Sequence, residues 1–256
     1  MRTVAIIQAR MGSNRLPGKV LKSILGRPML WHIVERVRAA PSIDEVVVAL
    51  PDGPADEELR EFCSTNDITS FSGSELDVLD RFYQAAKMYG ADPVLRITAD
   101  CPFVDPELVE KLVELYWSGS YDYAAVAAGA DAPSLAGERF PDGLDSECFS
   151  FASLEHAWKE AQDSRDREHV TRFIWRRKGR FRCTKLLADR KHPPLRLTVD
   201  YPQDLVVASR IYEKLFCEGN IFHLADVVDL LGREPEIIKP NEDLIEGQHY
   251  RAVLEE

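Results

Sequence analysis

The chain has 256 residues, of which 45% are hydrophobic, carries a formal net charge of -11 and has a sequence pI of about 5.1. It is long and apolar enough to bury a full core, and its acidic balance argues against nucleic acid as a partner. No apolar stretch reaches the length of a membrane-spanning helix, and the five scattered cysteines fit neither a disulfide framework nor a zinc cluster, so we expect a protein of the reducing cytoplasm without membrane insertion.

Apolar runs alternate with amphipathic stretches over the first half of the chain. Strands are predicted at 4–7, 45–50, 68–71, 93–98 and 122–128. Helices are predicted at 28–40, 55–65 and 106–117, and another is predicted to follow Ser74 as its N-cap. This order predicts a single α/β domain with a Rossmann-like open, mostly parallel sheet flanked by helices.

The alternation weakens after residue 128. Residues 129–143 form a long segment with Gly, Ala and Pro, which is typical of an active-site lid or a substrate-binding insert. Helices are then predicted at 151–162, 166–178, 202–216 and 222–231, and strands at 181–187 and 195–199. We therefore divide the chain into an α/β domain at 1–232, with its lid region at about 129–180, and a C-terminal extension at 233–256.

A loop that follows the first strand, residues 8–19, combines glycines with cations. Its cations are Arg10, Arg15 and Lys19, and its glycines are Gly12 and Gly18. Backbone amides at a glycine-rich bend and cationic side chains both match phosphate oxygens, so the loop predicts a nucleotide site at the sheet edge. It is not a Walker A loop, because five residues separate the glycines and Val20 stands where a metal-binding hydroxyl is needed. The alternative is a basic surface loop with ordinary turn glycines.

Two acids stand directly after predicted strands. Asp100 follows the strand that ends at Thr98, and Asp200 follows the strand that ends at Val199. The carboxyl ends of such strands form the ligand edge of the sheet, and carboxylates hold the Mg²⁺ that accompanies a triphosphate. The alternative is that each acid caps a turn or helix before the prolines Pro102 and Pro202. Asp204 is interpreted as an acid that favours the helix dipole.

Five segments of the chain resemble one enzyme family. The chain is similar to the cytidylyltransferases that activate acidic sugars, which include the acylneuraminate and CMP-Kdo synthetases, and within them to the spore coat polysaccharide biosynthesis protein F-like branch. The segments that carry the resemblance are 8–19, Arg96–Pro102, Phe140–Asp145, Asp166–Thr171 and Leu197–Pro202.

The resemblance implies a fold, a reaction and a set of nucleotide residues. The fold is that of the nucleotide-diphospho-sugar transferases, and members of the family are often homodimers. The reaction is Mg²⁺-dependent transfer of CMP from CTP to a small anionic sugar-type acceptor, an acidic sugar or a sugar phosphate, with release of pyrophosphate, for surface polysaccharide. Asp100 and Asp200 are the implied metal ligands, and Arg15 and Lys19 are the implied catalytic residues. The implied nucleotide-binding residues are Ala9, Arg10, Met11, Gly12, Ser13, Arg15, Lys19, Thr98 and Ala99.

Polar and charged residues between positions 96 and 169 predict where the sugar acceptor binds. A sugar needs hydrogen-bonding groups, and an arginine can bind its carboxylate or phosphate. The predicted acceptor-binding residues are Arg96, Asp142, Asp145, Glu147, Arg167 and His169. His169 is a candidate general base, and an equal alternative is that Arg167 and His169 belong to a helix N-terminal turn capped by Asp166. The Gln-containing motif of the known synthetases is absent at 97–102, so the acceptor stays open among acidic sugars, sugar phosphates and polyol phosphates.

Two other functions fit a nucleotide-binding α/β domain. A glycosyltransferase usually holds its metal through an Asp-x-Asp pair, but Asp100 has no acid two residues to either side. A non-catalytic nucleotide-binding module would not need Arg15, Lys19, Asp100 and Asp200 together. The sequence therefore favours the nucleotidyltransferase.

Overall fold

Strands and helices alternate along most of the chain, as the hydrophobic pattern predicts. The computed structural model describes residues 2–128, 138–177 and 179–246. The strands are β1 (Val4–Gln8), β2 (Ser23–Ile24), β3 (Arg27–Pro28), β4 (Glu45–Pro51), β5 (Ser70–Gly73), β6 (Val94–Thr98), β7 (Tyr123–Val126), β8 (Glu147–Phe149) and β9 (Cys183–Leu186). The α-helices are α1 (Met29–Arg38), α2 (Glu57–Thr65), α3 (Val78–Tyr89), α4 (Pro106–Ser118), α5 (Phe151–Glu160), α6 (Ser164–Glu168), α7 (Arg172–Arg176), α8 (Pro202–Leu215), α9 (Leu224–Arg233) and α10 (Glu242–Glu246). Short 3₁₀ helices span Lys19–Leu21, Pro54–Asp56 and Pro235–Asn241.

Within these residues, seven strands form one sheet in the order β5-β4-β1-β6-β8-β7-β9. β1 pairs in parallel with β4 and β6, whereas β8 lies antiparallel between β6 and β7. The predicted open, mostly parallel sheet is therefore confirmed. Gln8 is in register with Thr98, so β1 and β6 end side by side. The residues that follow these two strands share the ligand edge of the sheet.

Helices cover both faces of the sheet because side chains alternate along each strand. Ala5 and Ile7 belong to a buried cluster with residues of α1, α4, α8 and α9. Val4 and Ile6 point to the other face and belong to a cluster with residues of α3, α5 and α7. No helix among the described residues is both long and apolar enough to cross a membrane.

The start of α3 and the helix predicted at 166–178 differ from the sequence predictions. Asp77, not Ser74, caps α3, because the Asp77 carboxylate accepts the N–H of Asp80, and Ser74 Oγ accepts the N–H of Asp77 one turn earlier. The helix predicted at 166–178 is divided into α6 and α7. Val170 has a φ of 51°, and a left-handed residue cannot continue a right-handed helix.

The strand predicted at 195–199 is extended backbone but not a regular strand. Its ladder contact is a single bridge between Asp142 and Arg196. The N–H groups of Leu197 and Val199 donate to the carbonyls of Asp142 and Asp100, which belong to different segments, so no continuous partner strand forms. This segment consequently joins two parts of the sheet edge.

Two predicted regions are described only in part. Of the predicted lid, residues 129–137 and 178 lie outside the described residues. Of the predicted C-terminal extension, the residues up to 246 are described, and Ile237 is buried in the same cluster as α8 and α9. Residues 247–256 lie outside the description.

Candidate nucleotide and metal site

The loop after β1 is folded back on itself by backbone hydrogen bonds. The carbonyl of Met11 accepts the N–H of Gly18 at 3.1 Å, and the N–H of Met11 donates to Asp56 Oδ1 at 2.7 Å. Gly18 has a φ of 66°, a conformation that a residue with a side chain rarely adopts, and it begins the 3₁₀ helix at Lys19. The loop geometry therefore fixes the direction in which the Lys19 side chain extends from the backbone. Asp56, a buried anchor of the loop, was not found by sequence reasoning.

Lys19 brings the two predicted metal ligands together. Its Nζ lies 2.9 Å from Asp100 Oδ2, 2.9 Å from Asp200 Oδ1 and 3.0 Å from the carbonyl oxygen of Val199. Arg15 Nη2 lies 3.0 Å from the same Asp200 Oδ1. Thus the two loop cations and the two strand-end acids, which lie in three separate parts of the sequence, form one charged cluster at the sheet edge.

The charges of this cluster stabilise each other. Burial alone would lower the pKa of Lys19, but Asp100 and Asp200 together raise it above its ordinary value. Burial alone would raise the pKa of Asp100, but Lys19 and the hydrogen bonds to the carboxylate hold it below its ordinary value. Burial and the negative charge of Asp100 raise the pKa of Cys101 well above the usual range, so this residue stays a thiol whose S–H lies 3.6 Å from Asp100 Oδ1. The lysine is therefore charged and the Asp100 carboxylate is ionised at neutral pH.

The donor atoms around Lys19 fit a hard divalent cation. The ammonium group is itself a cation held by two carboxylate oxygens and one carbonyl oxygen. Mg²⁺ prefers such oxygen ligands and is usually held by one or two carboxylates together with phosphate oxygens. The Asp100 and Asp200 side chains are 29% and 16% exposed, so a ligand can reach them.

Sequence reasoning missed the groups that lie behind Asp200. Arg196 Nη2 lies 3.2 Å from Asp200 Oδ2, and Arg196 also pairs with Asp142 and Asp204. Asp204 is 2% exposed and accepts the N–H groups of Asp200 and Tyr201, so beyond favouring the helix dipole it caps the start of α8 and pairs with Arg196. An acid in the first turn of α8 signals a cap, but nothing in the sequence indicates its buried arginine partner.

Gly143 allows the Asp142 segment to approach the Asp200 segment. Its φ is 95°, and a Cβ there would lie 2.3 Å from the backbone nitrogen of Thr198. Only glycine fits this contact. Burial and the negative charges of Asp200 and Asp100 raise the pKa of Asp142, although Arg196 opposes this shift. Asp145 Oδ2 accepts the N–H of Gly143 at 3.1 Å, so both predicted acceptor acids lie on this close-packed turn.

The remaining predicted nucleotide residues lie along the same edge. Ala9 and Ala99 are buried, and their N–H groups donate to the carbonyls of Ala49 and Gln8, which continue the hydrogen bonding of the sheet. Arg10 and Gly12 are exposed and Ser13 is half-buried. Thr98 Oγ1 lies 3.3 Å from Cys101 Sγ.

The other predicted acceptor residues have protein partners. Arg96 forms an ion pair with Glu147 across β6 and β8, and Glu147 Oε1 accepts hydroxyl hydrogens from Tyr123 at 2.5 Å and Thr171 at 2.6 Å. The pKa of Tyr123 is raised well above its usual range by burial and by Glu147. We call this group the β6–β8 brace (Arg96, Tyr123, Glu147, Thr171).

Arg167 and His169 lie on the short helix α6 and at its end. Arg167 Nε lies 3.0 Å from both oxygens of Asp77, and its Nη1 donates to the carbonyl of Trp158 at 2.7 Å. His169 follows α6 and is exposed. Arg167 therefore ties α6 to the cap of α3.

One further group has metal-ligand chemistry. Among the described residues, ligand atoms of Asp105, Glu107 and His223 lie within 4.8 Å of one another. Both oxygens of Asp105 already accept hydrogen bonds, from the N–H groups of Glu107 and Leu224 and from the ring of His223. Asp105 thus caps α4 and joins it to α9, and these bonds account for the group.

The sequence and the fold match known proteins over most of the chain. A family model described as "Cytidylyltransferase" matches residues 4–224. An uncharacterised protein of Methanocaldococcus jannaschii is 34% identical over 257 residues, which cover 100% of both chains. The spore coat polysaccharide biosynthesis protein SpsF of Bacillus subtilis is 32% identical over 90% of this chain and 94% of its own length. The solved structure of a cytidylyltransferase from Leptospira borgpetersenii has a TM-score of 0.83 at 26% identity and covers 93% of this chain and 98% of its own.

Proposed function

Since the chain belongs to the cytidylyltransferase family of nucleotidyltransferase enzymes, we propose that it transfers CMP from CTP to an acidic sugar or a sugar phosphate in a Mg²⁺-dependent reaction that releases pyrophosphate. The observation that carries the proposal is the position of Lys19 Nζ, 2.9 Å from each of Asp100 and Asp200 at the sheet edge. The similarity to SpsF, whose name refers to spore coat polysaccharide biosynthesis, supports a role in surface polysaccharide.

The proposed reaction is an in-line displacement at phosphorus. An acceptor oxygen attacks the α-phosphorus of CTP and loses its proton, and the bond from that phosphorus to the β-phosphate oxygen breaks to release pyrophosphate. Such a reaction needs little covalent chemistry from the protein, so positioning and charge neutralisation dominate. Arg15 and Lys19 provide the cations for the departing pyrophosphate, because they lie together at the end of the phosphate loop.

Asp100 and Asp200 are the residues that would hold the divalent cation of the nucleotide. A Mg²⁺ ion held there would neutralise phosphate charge and polarise phosphoryl oxygens. The Lys19 ammonium group bridges the two carboxylates in the structure. From this position it could turn from the carboxylates to the phosphate oxygens of a bound nucleotide. Lys19 thus holds the two carboxylates close together before the ligand binds.

For the acceptor, we assign the turn that carries Asp142 and Asp145. It packs directly against the segment that ends at Asp200, so a sugar bound there would lie next to the phosphate site. We propose that Arg96, Glu147, Arg167 and His169 also contribute to the acceptor site. Charged and hydrogen-bonding groups of this kind suit an anionic sugar.

The test is pyrophosphate release with Mg²⁺, each of the four nucleoside triphosphates, and a panel of acidic sugars, sugar phosphates and polyol phosphates. We expect release that requires CTP together with one acceptor. An Asp100→Asn protein prepared in parallel measures background hydrolysis by contaminants. Release that requires a different nucleotide would contradict the CTP assignment. Absence of any nucleotide binding by calorimetry would contradict the whole proposal.

A further inference from the structure

Arg196 is a buried arginine that contacts three carboxylates. Its side chain is 7% exposed. Nη1 lies 3.1 Å from Asp142 Oδ2, Nη2 lies 3.2 Å from Asp200 Oδ2, and Nε lies 3.1 Å from Asp204 Oδ1. The guanidinium group is planar, so it holds these carboxylates in fixed relative directions in a way that a lysine cannot.

The two oxygens of Asp200 face different partners. Oδ1 lies 2.9 Å from Lys19 Nζ and 3.0 Å from Arg15, on the side of the proposed nucleotide. Oδ2 faces Arg196. The backbone is held as well, because Asp204 Oδ2 accepts the N–H of Asp200 at 3.0 Å. Arg196 and Asp204 together therefore restrict the rotation of the Asp200 carboxylate and leave Oδ1 directed at the site.

A residue from the C-terminal segment completes this arrangement. Asn241 is 1% exposed, and its Nδ2 donates to Asp204 Oδ1 at 3.0 Å and to the carbonyl of Arg196 at 3.2 Å. Its Oδ1 is buried and has no hydrogen-bond partner among the described residues, so the amide acts here as a donor. Asn241 lies beyond residue 224, where the match to the family model ends. The 3₁₀ helix Pro235–Asn241 thus reaches the acids from outside the family-matched region.

We infer that Arg196 is a positioning residue that orients Asp200 for cation binding, and that Asn241 anchors Arg196 from the C-terminal segment. The inference rests on the proposed function, in which Asp200 is a metal ligand. Groups that orient metal ligands typically contribute about 10- to 100-fold to metal affinity or activity. Neither Arg196 nor Asn241 needs to contact the ligand for this effect.

The experiment measures Mn²⁺ binding to the full-length protein by the loss of the free-ion signal in electron paramagnetic resonance. Arg196→Lys keeps the positive charge but loses the planar contact, and we expect Mn²⁺ to bind about 10- to 100-fold more weakly. Asn241→Leu removes the two donated bonds, and we expect a smaller loss in the same direction. Ile237→Val is the matched control, because it removes one buried methylene from the same segment without touching the acids. Its Mn²⁺ affinity should equal that of the wild type.

Activity gives a second, independent measurement. The Mg²⁺ concentration for half-maximal pyrophosphate release should rise in Arg196→Lys and in Asn241→Leu, whereas the KM for the acceptor should stay unchanged. A folded Arg196→Lys protein with the Mn²⁺ affinity of the wild type would overturn the inference. If that variant does not fold, wild-type affinity in Asn241→Leu overturns it instead. Absent pyrophosphate release from the wild type counts against the proposed reaction, whereas unchanged Mn²⁺ affinity counts against Arg196, so the two proposals fail separately.

Discussion

Two charged groups near the same edge of the sheet are built differently. In the first, the loop cluster (Arg15, Lys19, Asp100, Asp200), the side chains come from loops that follow strands, and two cations share Asp200. In the second, the β6–β8 brace, Arg96 and Glu147 lie on neighbouring strands and are in register with each other. Charges on loops at strand ends can exchange partners with a ligand, whereas charges fixed on paired strands also hold those strands together. Substitutions in the first group should therefore reduce turnover, and those in the second should reduce stability.

The largest effect is expected at Lys19. Lys19→Met removes a cation from the departing phosphates, and loss of one such stabilising group costs about 100- to 1000-fold in kcat. The melting temperature should fall as well, because Lys19 is the buried partner of both Asp100 and Asp200, so kcat is compared at a temperature at which both proteins are folded. The measurement is steady-state pyrophosphate release together with thermal melting.

Lys22→Met is the matched control for Lys19. It removes the same charge directly after the 3₁₀ helix Lys19–Leu21, and Lys22 makes no ion pair with any of the residues that the structure describes. Its rate should equal that of the wild type. Equal losses in both variants would show that the overall charge of the loop, and not the position of Lys19, is what matters.

In the β6–β8 brace we expect the main effect of a substitution to be a loss of stability. Glu147→Gln leaves the Arg96 charge buried without its paired carboxylate, and breaking one side of a buried pair costs about 3–5 kcal/mol in the free energy of unfolding. Urea denaturation measures the loss. Glu155→Gln is the control, because Glu155 lies on the surface and pairs with Lys159 one helical turn away, so no change is expected. Retained stability with a raised acceptor KM would instead assign Glu147 to the acceptor alone.

Gly143 lies where the turn that carries Asp142 and Asp145, our proposed acceptor site, packs against the segment that ends at Asp200. Gly143→Ala forces a side chain into a backbone contact of 2.3 Å at a φ of 95°, and we expect a loss of about 2–3 kcal/mol in stability. Gly26→Ala separates the two causes, because Gly26 has a φ of 78° but nothing within 4 Å of its missing Cβ. It should lose only about 1 kcal/mol. Equal losses in the two variants would show that strain in φ, rather than the close approach to Thr198, makes glycine necessary.

The sequence predicted the sheet and the loop cluster because both have local signals. A buried strand followed by a cationic glycine loop and strand-end acids can be recognised without any tertiary contact. It did not predict Asp56, Arg196 or Asn241, since a buried polar residue has no periodic pattern and its partners are distant in sequence. The bond between Asn241 and Arg196, for example, joins residues 45 positions apart. The antiparallel strand β8 was missed for a related reason, because three residues are too short to show alternation.

The smallest predicted effect concerns Arg167. This residue either binds the ligand, as we propose for Lys19, or holds the fold together, as we expect of Glu147. Arg167 pairs with Asp77, whose carboxylate also caps α3, so Asp77→Ala should lose the cap and the pair, about 1–2 kcal/mol in all. Arg167→Met should lose the pair and the bond to the carbonyl of Trp158, and the double variant should lose less than the sum of the two single losses, because the shared interaction is removed once. Thermal melting of the four proteins measures this coupling, and the acceptor KM measures binding. If Arg167→Met raises the acceptor KM while Asp77→Ala does not, Arg167 acts on the ligand like Lys19. If both variants melt earlier and leave the KM unchanged, Arg167 is structural like Glu147, and α6 is held in place by its contact with the start of α3.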